Sequence, residues 1–192
     1  MRKVLVSFAF ALAAVGAAAE PLKIKPLAEK KVAQLPPGTM VWRIENFPSL
    51  EQAKKAEGEW SLAVESAGKA WLFTLGASGG RTPGGTKVAE VGPIPRVSAP
   101  QYLLRINEAT GPKGAVTSVH SHPGSEAFYV VAGEQSIRHP HGVLTVRIGE
   151  PAAGHGADVP MQVSSTGASD LLSLVMFVVD ATRPFSSPAK MP

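Results

Sequence analysis

One twenty-residue segment, Gly114 to Gly133, constrains this chain more than any other. It reads a glycine, five residues, His120-Ser121-His122, three residues, Glu126, six residues and a closing glycine. Side chains on a β-strand alternate between faces, so His120 and His122 point the same way. Pro123-Gly124-Ser125 has turn chemistry and predicts that the chain returns as an antiparallel strand from near Glu126. Two imidazoles and one carboxylate would then converge inside a sheet. Such a donor set suits a divalent first-row metal with coordination positions left open.

The rest of the chain is patterned for strands. Val41–Ile44, Trp60–Val64, Lys69–Leu75, Gln101–Ile106, Val116–His122, Ala127–Val131, Gln135–Arg138, Val143–Ile148, Val159–Ser164 and Leu171–Val179 are short and rich in branched or aromatic residues. Leu171–Val179 is almost continuously apolar and should be buried on both faces. Leu144, Val146 and Ile148 form one apolar face. Ser49 to Gly58 is the best helix candidate, with Ser49 as cap, Glu51 and Gln52 in the first turn and Lys54 and Lys55 later. Residues 76–86 are glycine-rich and predict a loop, with no phosphate-loop lysine and no helix following. Residues 20–40 read as an extended arm. Many short strands with Gly/Pro turns point to a β-sandwich or barrel.

The first residues resemble an export signal. Arg2 and Lys3 precede an apolar run from Val4 to Val15, and Ala17-Ala18-Ala19 suits cleavage after Ala19. The run is short for a membrane span. The expectation is a periplasmic or secreted chain from Glu20 onward, with no membrane association after cleavage. Without Arg2 and Lys3 the balance is 17 basic against 15 acidic residues, with no basic cluster interleaved with aromatics, so nucleic acid is not an expected partner. The chain has no cysteine, which excludes disulfides and thiolate chemistry.

The five fixed positions Gly114, His120, His122, Glu126 and Gly133 resemble the first motif of the cupins. The resemblance covers about residues 99–180. It implies an all-β double-stranded β-helix, a jelly-roll-like barrel, with an N-terminal extension and one short helix. On that reading residues 41–98 pack on a barrel core at 99–182, followed by a tail at 183–192. It also implies one divalent metal (Fe, Mn, Ni, Zn or Cu) held by His120, His122 and Glu126, and pairing into a homodimer. The second cupin motif departs from the pattern. Gly149-Glu150 resembles its start and Val163–Gly167 its end, but the usual histidine position falls on Met161. Three readings stand: Met161 as a thioether ligand or as pocket-wall packing, His155 reaching in from its loop, or three protein ligands completed by water.

Phe128 and Val130 share strand parity with Glu126 and are expected to line the pocket. Tyr102, Arg105, Gln135, Arg138 and Gln162 are candidate ligand contacts; Glu108, Glu134 and Asp158 have no assigned role. His139-Pro140-His141-Gly142 reads as a hairpin turn with an accessory-metal alternative. The functional expectation is a metal-dependent enzyme of the cupin type acting on a small oxygen-bearing molecule, by dioxygenase-type oxidation or isomerase or lyase chemistry. Glu126 serves there as ligand or proton carrier. The alternative is a non-catalytic module binding a metal or a small ligand.

Overall fold

The computed structural model describes residues 19–192, so all but one residue of the expected signal segment lies outside the described residues. No described helix is long and apolar enough to cross a membrane. A five-stranded sheet forms the middle of the molecule. Its strands are β1 (Lys23–Val32), β6 (Tyr102–Gly111), β13 (Leu171–Asp180), β8 (Gly124–Ala132) and β11 (Ala152–Ala153), in that spatial order. One face is covered by a four-stranded sheet of β3 (Ser61–Ser66), β4 (Lys69–Gly76), β2 (Val41–Phe47) and β5 (Thr86–Val91). The other is faced by β10 (Gly142–Arg147), β9 (Glu134–His139) and β12 (Gln162–Ser165), with the two-residue strands β7 (His120–Ser121) and β14 (Ser187–Pro188) alongside. Every ladder between these strands is antiparallel. The β6–β13–β8 and β9–β10–β12 sheets form the jelly-roll-like barrel expected from the sequence.

The period of two on β13 explains the layering. Leu174, Met176 and Val178 pack with Trp42, Ile44, Trp71 and Phe73 of the four-stranded sheet. Leu171, Val175, Phe177 and Val179 face the barrel interior with Phe128, Val130 and Ile137. Both faces of this strand are therefore buried, which is why its sequence shows no polar alternation. On β8 the same parity sends Ala127 to the first layer, and Phe128 and Val130 to the second.

The short helix α1 (Leu50–Lys55) sits where the capping signals put it, although it ends before Gly58. Ser49 caps it, its Oγ accepting from the backbone N–H of Gln52 at 3.2 Å.

Three further expectations are corrected. Residues 20–40 are more than an arm: β1 within them pairs along its length with β6. Its Lys and Pro content suits an edge strand, with one side of its backbone unpaired. Pro123-Gly124-Ser125 does not form the turn of a hairpin. β8 already begins at Gly124, and β7 pairs with β14 instead. Gly124 is small because it lies against the backbone of Val178 and Val179, where a Cβ would collide. Gly133 fills the turn role, with φ of 75° between β8 and β9. Ile148 lies beyond the end of β10 and is 61% exposed, so the expected apolar face stops at Val146.

Candidate small-molecule and metal site

A cavity of about 360 Å³ opens in the barrel interior. Its size falls in the range of small-ligand sites. Asn107 and Ala109 come from β6, Glu126 and Phe128 from β8, Val175 and Phe177 from β13, and Val163 from β12. His120 and His122 enter from β7 and just beyond it. Two segments outside the central strands complete the wall: Pro21, Leu22 and Ile24 on one side, Phe185 and Ser186 on the other.

The two histidines are oriented by backbone carbonyls. Nδ1 of His120 lies 2.9 Å from the carbonyl of Ser118, and Nδ1 of His122 lies 2.7 Å from that of Phe185. A carbonyl oxygen only accepts, so each Nδ1 carries a proton, and the tautomer this selects for a neutral ring has its lone pair on Nε2. Carbonyl-fixed tautomers of this kind are what metal-ligating imidazoles use. The rings stand 5.0 Å apart, nearly perpendicular. His122 is wedged between Phe177 and Phe185, at 4.8 and 4.7 Å between ring centroids. Burial there lowers its pKa to about 4; the bond to Phe185 opposes the shift, while the neighbouring His120 ring and the Arg105 guanidinium add to it. His122 is therefore neutral at pH 7.

Glu126 is the other unusual group. It is buried, Oε1 has no hydrogen-bond partner, and burial raises its pKa to about 8. A carboxyl placed this way holds its proton at neutral pH unless a cation enters. Gly154 closes over it, donating its N–H to the carbonyl of Glu126 at 2.9 Å; a Cβ on Gly154 would press on the Glu126 side chain and Phe128.

These donors bear on a metal in two ways. Two lone-pair Nε2 atoms and an orphaned buried carboxylate oxygen on one cavity wall are a fitting set of hard and borderline donors. Among the described residues, however, no three His, Asp or Glu converge on one point. The pair that would hold an ion first is therefore His120 and His122, with Glu126 in the same wall as third donor.

The remaining sequence candidates divide. Phe128 stands on the cavity wall, while Val130 lies deeper in the core and not on the wall. Met161 is 1% exposed and packed in the barrel core; its backbone exchanges both hydrogen bonds with His120, at 3.0 and 2.8 Å, but its side chain is not part of the cavity wall. His155 does not reach this cavity. Its ring lies against that of His139, tilted by 45° at 3.9 Å between centroids, because the loop after β11 carries it to the β9–β10 end of the barrel. Burial lowers its pKa, and the neighbouring His139 and His141 rings lower it further.

Gln135 is fully buried away from the cavity. Arg138 bonds Gln162 on the surface at 3.0 Å. The hydroxyl of Tyr102 accepts from Ala99, and Glu108 accepts from Ser66. Glu134 pairs with Arg147. Arg105 lies over the Phe185 ring at 4.1 Å and donates to Oδ1 of Asn107 at 2.8 Å.

Sequence reasoning missed the contribution of the tail. Phe185 supplies both a ring and the carbonyl that orients His122, and β14 pairs with β7. Asp158 anchors this segment: its backbone N–H donates to the carbonyl of His122, and its carboxylate takes both guanidinium nitrogens of Arg183 at 3.0 and 2.7 Å. No local pattern in residues 183–192 marks them as a wall. Asn107 and Phe177 were readable only as members of strands.

The antiparallel β-barrel carries His120, His122 and Glu126 in its cavity wall, and with Gly114 and Gly133 they keep the spacing that resembles the first cupin motif. No family model matches the chain, and no curated protein matches it. Among solved structures it is similar to a cupin-like protein from Thermotoga maritima, with 15% identity and a TM-score of 0.40 over 46% of this chain and 65% of that one. It is also similar to a DMSP lyase from Ruegeria pomeroyi, with 18% identity and a TM-score of 0.39 over 45% and 43% of the two chains. A cupin 2 domain-containing protein from Halorhodospira halophila gives 17% identity and a TM-score of 0.39 over 45% and 59%. The aligned part is thus less than two thirds of each of these chains.

Proposed function

We propose that this chain is an exported cupin-like protein that takes a small oxygen-bearing organic molecule into the barrel. A divalent first-row ion would be held there by Nε2 of His120 and His122, with Glu126 as the third donor. One observation supports this most: each Nδ1–H is committed to a backbone carbonyl, so both histidines keep Nε2 free to ligate, and the unpaired buried carboxyl of Glu126 lines the same cavity. When bound, such an ion supplies Lewis acidity or activates dioxygen.

The chain's own residues do the rest. Phe128, Val175 and Phe177 exclude water and select an apolar body for the ligand. Asn107 commits Oδ1 to Arg105, which leaves its NH₂ as a donor toward a ligand oxygen. Glu126, protonated in the metal-free cavity at neutral pH, releases a proton as a cation arrives. It is the residue able to move a proton next to a bound substrate. Phe185 closes the mouth while orienting His122.

The test is the metal content of the purified protein, followed by His120→Ala with His122→Ala. This reading requires that one equivalent of a first-row ion be lost in the double variant. A wild-type metal content equal to that of the double variant, under saturating Fe, Mn, Ni, Zn or Cu, contradicts it. A binding module without turnover is the second reading, favoured by the mostly apolar lining. It is separated from the first by dioxygen uptake and product analysis on small carboxylate and enol compounds. Export is tested by sequencing the N-terminus of the secreted protein, which should begin at Glu20.

A further inference from the structure

Three of the five histidines lie outside the cavity, and the fold gathers them at the far end of the β9–β10 hairpin. His139 is the last residue of β9 and pairs with Gly142 of β10, leaving Pro140 and His141 as a two-residue loop. Proline fixes the entry to the turn, so His139 and His141 stay close, at 6.1 Å between ring centroids. The loop after β11 brings His155 onto His139 at 3.9 Å, tilted by 45°. Nε2 of His155 is buried and has no hydrogen-bond partner. A buried ring nitrogen left unpaired costs stability, and a ligand that takes its lone pair removes that cost.

We propose that His139, His141 and His155 form a second metal site, which takes a borderline divalent ion of the Zn²⁺ or Cu²⁺ type. Imidazole is the donor those ions prefer, and the trio contains no competing carboxylate that would favour Mg²⁺ or Ca²⁺. Without an ion the three rings do not converge on one point. His141 rides an exposed turn and reaches the ion by side-chain rotation. The backbone N–H of His141 donates to Nδ1 of His139 at 3.3 Å, a long bond whose exchange for an ion gives up little. This site stands apart from the cavity and does not depend on the function proposed for it.

Calorimetric titration of the purified protein with Zn²⁺ tests it. Wild type is expected to take two ions per chain. His139→Ala with His155→Ala should take one, with the melting temperature of the metal-free protein held within a few degrees. His141→Ala should weaken that same event at least ten-fold. His120→Ala with His122→Ala should abolish the other event and leave this one. Unchanged stoichiometry in the His139/His155 variant overturns the proposal, as does loss of all binding in the His120/His122 variant. Should the His139/His155 variant fail to fold, the Hε1 resonances of His139 and His155 in wild type decide. Zn²⁺ must shift both, and no shift overturns the site.

Discussion

The two faces of the five-stranded sheet are built on opposite principles. Toward β2, β3 and β4, Leu104, Ile106, Leu174, Met176 and Val178 meet Trp42, Trp71 and Phe73 in a dry, close-packed layer. Toward the barrel, the same strands present Asn107, Glu126 and Phe177 to a cavity, with buried polar atoms left unpaired. One face stabilises and the other spends part of that stability on an open cavity with a few polar groups in a mostly apolar wall. A strand with two buried faces can carry both roles, because alternate residues report to different layers.

If the dry face supplies the stability, truncating it should have the largest effect. Phe73→Ala should lower the stability by about 3–5 kcal/mol, read from chemical denaturation. It should leave metal stoichiometry unchanged in whatever protein remains folded. A cost as small as that of a surface substitution would break the contrast between the faces.

The next effect concerns pH in the metal-free protein. Glu126 has a folded pKa of about 8 against an ordinary 4.5. Between those values the folded state holds one proton more than the unfolded state, so stability falls as pH rises through that window and levels off above it. His122 has a folded pKa of about 4 against 6.5. Between those values the unfolded state holds the extra proton, so its contribution is lost as pH falls from 6.5 toward 4. The two slopes oppose each other where the windows overlap, which leaves the fall above pH 6.5 to Glu126. At its steepest that fall approaches about 1.4 kcal/mol per pH unit. Glu126→Gln should abolish it, giving a variant more stable than wild type at pH 8 when both are metal-free. Parallel pH profiles for the two proteins would show that Glu126 is not the strained group.

The smallest effect should come from the tail. Asp158→Asn removes a half-exposed ion pair with Arg183 while keeping a residue that tolerates the positive φ at this position, and should cost at most about 1 kcal/mol globally. Local amide exchange should rise around residues 183–189 and leave β13 unchanged. Uniform exchange across both regions would mean that the tail is not a separately held wall.

What the sequence made legible follows the same division. The double burial of β13, the shared face of Glu126 and Phe128, and the Ser49 cap are all consequences of local periodicity or capping chemistry. The His120/His122 alternation was readable for the same reason. β1 was hidden because an edge strand rich in Lys and Pro resembles an arm until its partner β6 is known. Pro123-Gly124-Ser125 misled because its glycine answers a close backbone approach rather than a turn. Phe185 and His155 depend on where distant loops finish, which no spacing in one sequence encodes.

The central claim is that His120 and His122 act together as metal donors in the cavity. Electron paramagnetic resonance of Cu²⁺ bound to the His139→Ala, His155→Ala protein isolates that site. The account predicts nitrogen couplings from two imidazoles, reduced to one by His120→Ala and likewise by His122→Ala. A spectrum unaltered by either substitution would contradict it.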